Sequence, residues 1–392
     1  MILKAYKYRI NPTSEQAAQI NKTIGVCRFL YNLALETKIY AHKSHGKNLS
    51  AYDLCYQLPG LKEDYPWINE IDSQAAQSAI KKVDIAFKNF FCGNGFPKYK
   101  SKRNGGSFQC PNNTRKVDFE NCTLTIPKVK NIPIRISRMF EGKIKTITIS
   151  KTSTAKYFAS ILVETPTELI KPAIPKKAIG IDLGIKDFAI TSAGEKIQNK
   201  KYLKVSIDRI IVLQRRASKK KKGSNNRKRA NRKVALLHEK VNNQRNDFLH
   251  KVSSRLIGDN QTDTICVETL AVKNMIKNHK LAQAISDVSW SEFIRQLEYK
   301  GKWYGKNVFK ISMFSPSSKT CSNCGHVKDQ LNLSERQWTC SKCNATHDRD
   351  INAANNIKNM GMTAVGSRKE PVEQRIKIRA KKQEYILAKA YI

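Results

Sequence analysis

Two kinds of residue in this chain have types and spacings that suggest chemistry. The first is a set of thiols. Cys321-Ser-Asn-Cys324 and Cys340-Ser-Lys-Cys343 are separated by fifteen residues. Each Cys-x-x-Cys closes a tight knuckle that aims two thiolates at one ion, and two knuckles complete a tetrahedron. Four thiolates saturate Zn²⁺ and leave no open position, so the spacing predicts one structural zinc ion in a ribbon. His326 and His347, nearby, are then expected to be bystanders.

The second is a set of acids. AIGIDLGIKDFAI (178–190) places Asp182 inside an apolar strand flanked by Gly180 and Gly184, which leave room for a close approach. TICVETL (264–270) ends an apolar strand on Glu268. THDRDINAANNI (346–357) carries Asp348 and Asp350 where a helix should begin. Each acid alone reads as an ordinary strand-end or helix-start residue. Together, a strand-borne Asp, a later strand-end Glu and a late helix-start Asp make an RNase H-like arrangement. Three carboxylates then converge at one end of a mixed sheet and hold two divalent ions roughly 3.5–4 Å apart. Carboxylate oxygens suit Mg²⁺, with Mn²⁺ as a substitute, whereas thiols or imidazoles select other metals. Of the last pair, Asp350 fits a cap or first-turn position carried toward the sheet. Asp348 is expected in a loop beside Arg349.

The elements that must position these groups sit in a strongly basic chain. Its 392 residues contain 72 Lys and Arg against 32 Asp and Glu, a net charge of +40. That length suits two or three domains. Such self-repulsion calls for a polyanionic partner, and nucleic acid fits better than a membrane surface because the charge is spread along the chain. No apolar run reaches the ~18–20 residues of a membrane span. MILKAYKYRINP lacks an apolar signal core, so a cytoplasmic protein is expected. The remaining cysteines (Cys27, Cys55, Cys92, Cys110, Cys122 and Cys266) read as reduced, buried thiols.

LKAYKYRI reads as a strand, and Thr13 with Gln16 as a capping box. Ile20, Ile24, Cys27, Leu30, Tyr31 and Ala34 follow at helical spacing. A second helix over 72–92 carries the stripe Ala76, Ile80, Val83, Phe87, Phe90 and Phe91. GFPKYKSKRNGGSF (95–108) is broken, basic and aromatic, suited to tracking a nucleic-acid backbone through Lys98, Lys100, Lys102 and Arg103. KTITIS (145–150) and KYFASILVE (156–164) alternate as a hairpin; with 121–127 and the first strand they predict a small β-barrel. Residues 203–255 predict a helical hairpin with a basic tip, since eleven of the twenty residues from Gln214 to Lys233 are Lys or Arg. Arg215, Arg216, Lys219, Lys220, Lys221, Lys222, Arg227, Lys228 and Arg229 are the candidate phosphate contacts there. Ser289 and Glu292 have capping-box spacing, with Trp290, Phe293, Ile294, Leu297 and Tyr304 on one helical face. VFKISMF (308–314) alternates as a strand.

Several of these stretches resemble the TnpB family of RNA-guided nucleases, which small insertion sequences encode and which are related to type V CRISPR effectors. The likeness rests on KAYKYRINPTSEQ (4–16), GFPKYKSKR (95–103), GIDLGIKDFA (180–189), ISDVSWSEFIRQLEYKGKWYG (285–305), SPSSKTCSNCG (315–325) and WTCSKCNATHDRDINAANNI (338–357), and covers about residues 1–360. It implies Asp182, Glu268 and Asp350 as the catalytic, metal-binding acids. It also implies an α+β multidomain fold. A RuvC-like domain (175–318 and 346–365) holds an inserted zinc ribbon (319–345). A wedge β-barrel (1–12 and 106–174) holds an inserted helical recognition domain (13–105), and a basic tail (366–392) follows. The implied partners are a transposon-derived guide RNA and target double-stranded DNA, with a monomeric protein associated with the prokaryotic nucleoid when on DNA. Tyr52, Gln77 and Asn112 are the implied readers of a short motif beside the target. Guide pairing then supplies sequence specificity, as in Cas9-type effectors. The alternatives are a nuclease-inactive RNA-guided repressor, which should lack one of the acids, and a transposase on an RNase H-like fold.

Overall fold

The computed structural model describes all residues except Met1, 103–104, 112–115, 167, 169, 173, 314, 333 and 367–392. The expected tail and the residues Arg103 and Asn112 therefore lie outside the described residues. The chain is α+β and divides into two units, Met1–Glu168 and Leu169–Ile392.

In the first unit, strand β1 (Ile2–Ile10) stops at Asn11-Pro12, and helix α1 (Ser14–His45) starts on the predicted capping box. Thr13 accepts from the Gln16 N–H, and Gln16 returns the bond to the Thr13 N–H. The helix ends on Gly46, whose φ of 61° terminates it in the left-handed region. Short helices α2 (Ala51–Tyr56) and α3 (Leu58–Asp64) and a 3₁₀ turn (Pro66–Glu70) lead to α4 (Ser73–Phe91), capped by Asp72. The stripe on α1 is buried as expected, as are Ala76, Ile80 and Val83 on α4. The last turn of α4 departs from expectation: Phe91 is exposed, and Phe90 packs on Phe91 and Phe96 outside the core.

Strands β2 (Gly106–Cys110), β3 (Lys116–Asp118), β4 (Thr123–Ile126), β5 (Val129–Arg135), β6 (Lys143–Lys151) and β7 (Tyr157–Thr165) join β1. Their order is β2-β6-β7-β1-β5-β4-β3, antiparallel throughout. The described pairings join them into a seven-stranded sheet that contains the strands expected of the barrel. Period-two alternation turns Ile147, Ile149, Ala159, Ile161 and Val163 onto one core with α1 and α4.

The second unit is built on a five-stranded mixed sheet of order β10-β9-β8-β11-β12. Strands β8 (Ala178–Leu183), β9 (Asp187–Thr191) and β10 (Lys196–Gln198) form an antiparallel meander. Helices α5 (Tyr202–Ser218) and α6 (Asn225–Gly258) form the predicted basic hairpin, with Ser224 capping α6. Strand β11 (Thr264–Glu268) then lies parallel to β8. After α7 (Val272–Met275), α8 (Ala282–Val288) and α9 (Trp290–Tyr304), strand β12 (Asn307–Ile311) extends the sheet in parallel. Strands β13 (Gln337–Thr339) and β14 (Thr346–Asp348) pair beyond it, and α10 (Arg349–Gly366) follows without a break.

One face of this sheet, through Ile181, Leu183, Ile265 and Val267, packs on α6 and α9, where Phe188 meets Phe248 and Phe293 edge-on at 5.1 and 4.9 Å. The opposite face takes α10, with Cys266, Ile311 and Ile357 packed together. Gly180 is required there, because a Cβ at this position would run into the Ala354 carbonyl oxygen of α10. The room expected beside Asp182 is thus taken by a helix.

Three further expectations are corrected. Ser289 adopts φ 59°, between α8 and α9, and makes no capping bond; Glu292 instead binds Arg295 at 2.7 Å. Tyr304 is exposed rather than on the buried stripe, and Cys92 and Cys122 are exposed rather than buried. Among the described residues no helix is long and apolar enough to cross a membrane.

Candidate active site and thiol cluster

Strand alternation decides where the acids point. On β8, Ile181 and Leu183 face α6 and α9, so Gly180 and Asp182 face α10. On β11, Ile265 and Val267 take the first face and Cys266 the second, which sends Glu268 to the α10 side as well. Val267 lies opposite Ile181, so continuing the parallel register sets Glu268 beside Asp182. Asp350 stands in the first turn of α10, on that same side. The structure therefore brings the three sequence-predicted acids together.

Their electrostatics agree. Burial, then the nearby charges of Glu268 and Asp350, push the Asp182 carboxyl up to about 7, against an opposing effect of Arg349. Burial also raises Glu268. Partly buried acids so close together are costly unless cations meet them.

Around the acids stand residues that sequence reasoning missed. Arg336, just before β13, brings its guanidinium within 3.4 Å of Asp350 Oδ2. Lys196 on β10 binds Asp348 Oδ2 at 2.7 Å. Pairing Gln337 with Asp348 in a hairpin would have located Arg336 beside the start of α10, but three-residue strands give little periodicity to find. Asp348 is not the loop residue that was expected. It ends β14 and caps α10, its Oδ1 accepting the N–H groups of Asp350 and Ile351 at 3.0 and 3.2 Å. Partial burial acts to raise its carboxyl, yet Lys196 and these two amides hold it below the usual range.

The four thiols form the predicted cluster. Cys321 Sγ lies 3.6 Å from Cys343 Sγ, and Cys324 Sγ 3.6 Å from Cys340 Sγ. Four sulfurs at ~2.3 Å from one Zn²⁺ in a tetrahedron stand about 3.8 Å apart, so the set fits that ion. Both knuckles use one local design. The Gly325 N–H binds the Cys321 carbonyl and the Asn344 N–H the Cys340 carbonyl, each at 2.9 Å. Gly325 and Asn344 take the left-handed turn position with φ of 76° and 56°. His347 is closer than the bystander role predicted: its Nε2 is 3.0 Å from Cys321 Sγ, and its ring lies 5.0 Å from Trp338. Buried Asn352 and Asn356 of α10 fasten the first knuckle, Asn352 binding Ser322 and Thr320 and Asn356 binding Ser317 and Thr320.

The candidate nucleic-acid contacts are on the surface. Tyr52 on α2 is exposed beneath the Lys81 ammonium, and Gln77 on α4 is exposed. Lys98 and Lys102 are exposed. Lys100 is fixed more firmly: Asn32 binds both its N–H and its carbonyl, and its ammonium lies 3.7 Å from the Tyr31 ring centre. Partial desolvation, then the neighbouring charge of Lys82, lowers that ammonium to about 8. At the α5–α6 tip, Arg215, Arg216, Lys219, Lys220, Lys221, Lys222, Lys228 and Arg229 are exposed, whereas Arg227 binds the Lys220 carbonyl and braces the turn.

Comparison with known proteins gives this arrangement a lineage. A protein of Streptomyces pristinaespiralis named "Putative RNA-guided DNA endonuclease" is 40% identical over 371 residues, covering 93% of this chain and 90% of the relative. The chain belongs to the TnpB family. The Escherichia coli K12 protein "Putative RNA-guided DNA endonuclease InsQ" is 30% identical, covering 91% of each chain. Within this TnpB chain, residues 160–279 match a family described as "Probable transposase" and residues 290–357 one described as "Cas12f1-like, TNB domain". Residues 1–47 match a family described as "Helix-turn-helix domain", although here they form β1 and one uninterrupted helix, α1. A chain in the cryo-EM structure of a Cas12f1–sgRNA–target DNA complex shares the fold, with a TM-score of 0.58 at 16% identity, covering 91% of this chain and 99% of that one.

Proposed function

We propose that the chain is an RNA-guided DNA endonuclease of a transposable element, cutting DNA at one RuvC-like site. The observation that carries this reading is the convergence of Asp182, Glu268 and Asp350 on the α10 side of the mixed sheet, in a chain of net charge +40. Membership of a family whose relatives are named RNA-guided endonucleases supports it. A nuclease-inactive repressor is disfavoured because all three acids are present and adjacent.

Asp182, Glu268 and Asp350 are the residues that would hold two Mg²⁺ ions. When bound, such ions supply activation of the attacking water and stabilisation of the departing 3′ oxygen. The chain's own part is placement. The sheet fixes Asp182 and Glu268, α10 delivers Asp350, and burial raises the two sheet-borne carboxyls, so that a divalent ion there would take the place of a proton. Arg336 offsets the charge of Asp350 and offers a guanidinium to a phosphate oxygen. Cys321, Cys324, Cys340 and Cys343 would hold one Zn²⁺ and leave it no open position for catalysis.

In the same reading the sheet of the second unit is RNase H-like, spans 175–318 and 346–365, and carries the ribbon 319–345 as an insertion. Residues 1–12 and 106–174 form the wedge barrel, and 13–105 the recognition domain. The α5–α6 tip and residues 95–108 contact the RNA–DNA channel, Tyr52, Gln77 and Asn112 read the flanking motif, and one protein copy serves each guide RNA. The test is to sequence the RNA that co-purifies with the protein, then offer the complex DNA matched to that RNA beside a randomised flank, in Mg²⁺. Cutting confined to matched DNA with one short flank supports the reading. Strand-transfer products formed without RNA would replace it with a transposase.

A further inference from the structure

Between the thiol cluster and Asp350 runs a strut of three residues, each tied in a different direction. His347 reaches Cys321, Asp348 reaches Lys196, and Arg349 binds the Asn332 carbonyl at 2.9 Å and, through its N–H, the Arg336 carbonyl at 2.8 Å. The middle residue does most to set the helix start. Its Oδ1 takes two of the amides that the first turn leaves without helical partners, one of them the N–H of Asp350 itself. Its Oδ2 is held by Lys196 on β10 of the central sheet. The carboxylate of Asp348 is thus satisfied on both oxygens and ties the α10 start to the sheet that carries Asp182.

We propose that Asp348 is a positioning residue for Asp350: its carboxylate, braced by Lys196, fixes the first turn of α10 so that the Asp350 oxygens meet a divalent ion shared with the sheet-borne acids. The proposal rests on the reading of Asp350 as a divalent-ion ligand. It departs from the expectation that Asp348 is a loop residue beside Arg349, and equally from a direct ligand role, because both its oxygens are already engaged. Removing the side-chain acceptor frees the turn while leaving the three acids in the chain. Removal of such an outer partner of a metal ligand typically lowers metal affinity about 10–100-fold.

The test uses the full chain with its co-purified RNA, and titrates Mn²⁺ by calorimetry and electron paramagnetic resonance. Asp348→Ala is expected to weaken Mn²⁺ binding about tenfold or more, to lower kcat with the KM for DNA unchanged, and to speed amide exchange across 346–357. Asp348→Asn and Asp348→Ser keep an acceptor for the helix amides and are expected to stay within about threefold of the unaltered protein. Should Asp348→Ala fail to fold, Asp348→Gly, which also removes the carboxylate at a cap that tolerates glycine, is read in its place. Mn²⁺ binding as weak in Asp348→Asn as in Asp350→Asn would make Asp348 a direct ligand and overturn the proposal, as would unchanged binding in Asp348→Ala or Asp348→Gly. Unchanged Mn²⁺ binding in Asp350→Asn would overturn the underlying reading of Asp350 instead.

Discussion

Asp182 and Glu268 extend side by side from two parallel strands, and Gly180, two residues before Asp182, is where α10 presses its backbone onto that sheet. One strand thereby supplies both a ligand and the docking surface for the helix that brings the third acid. The site is assembled by packing, so variants far from its charges should disturb it.

Gly180→Ala is the sharpest such variant. The added methyl meets the Ala354 carbonyl oxygen, a backbone atom that cannot rotate away. Overpacking of this kind costs about 1–3 kcal/mol, and here it also moves Asp350. Chemical denaturation should show that loss, and cleavage should fall with it. Gly258→Ala, where a Cβ meets no atom within 4 Å, should change stability by only about 0.5 kcal/mol.

A buried ion pair anchors the basic helical hairpin to the rest of the second unit. Asp287 accepts the Leu203 and Lys204 amides at the start of α5 and binds Arg245 of α6 at 2.8 Å. Arg245→Ala leaves a buried carboxylate without its cation, and a loss of about 3 kcal/mol is expected from urea unfolding. Asp287→Asn, which still offers an oxygen to the amides, should cost less.

Lys300 gives a dependence on pH. Its ammonium is buried against the His250 carbonyl and the hydroxyls of Ser253 and Ser254, and burial lowers it from 10.5 to about 8. Between those values the unfolded chain holds a proton that the folded chain has released, so stability rises with pH across that window and is lost as pH falls through about 8. Comparing Lys300→Met with the unaltered protein cancels other groups that titrate there. The difference in unfolding free energy should shift toward the unaltered protein from pH 8 to pH 10, and a flat difference would contradict the assignment.

Metal content tests the ribbon. Elemental analysis should find one zinc per chain, and Cys340→Ser or strong chelation should remove it. Because Asn352 and Asn356 of α10 bind the first knuckle, zinc loss should also speed amide exchange in α10.

The sequence made the chemistry legible earlier than the architecture. Asp182, Glu268 and the four cysteines were visible because each stands in a short, strongly patterned stretch whose composition leaves few alternatives. The Thr13–Gln16 cap and the hairpin of β6 and β7 were legible for the same local reason. Long-range pairing hid the rest. Nothing near Gly180 announces Ala354, and nothing near Asp348 announces Lys196, which lies 152 residues away. Ser289 matched a capping box in letters but sits at a left-handed corner between two helices, where tertiary packing overrides the local signal. The roles of Asn352 and Asn356 were equally hidden, since their partners Ser322 and Ser317 lie 30 and 39 residues upstream.

The most direct test of the central claim compares the unaltered ribonucleoprotein with Asp182→Ala on the same matched, motif-flanked DNA in Mg²⁺, measuring binding and cutting side by side. The account predicts equal DNA binding by both and cutting by the unaltered protein alone. DNA binding without cutting by the unaltered protein, or undiminished cutting by Asp182→Ala, would contradict it.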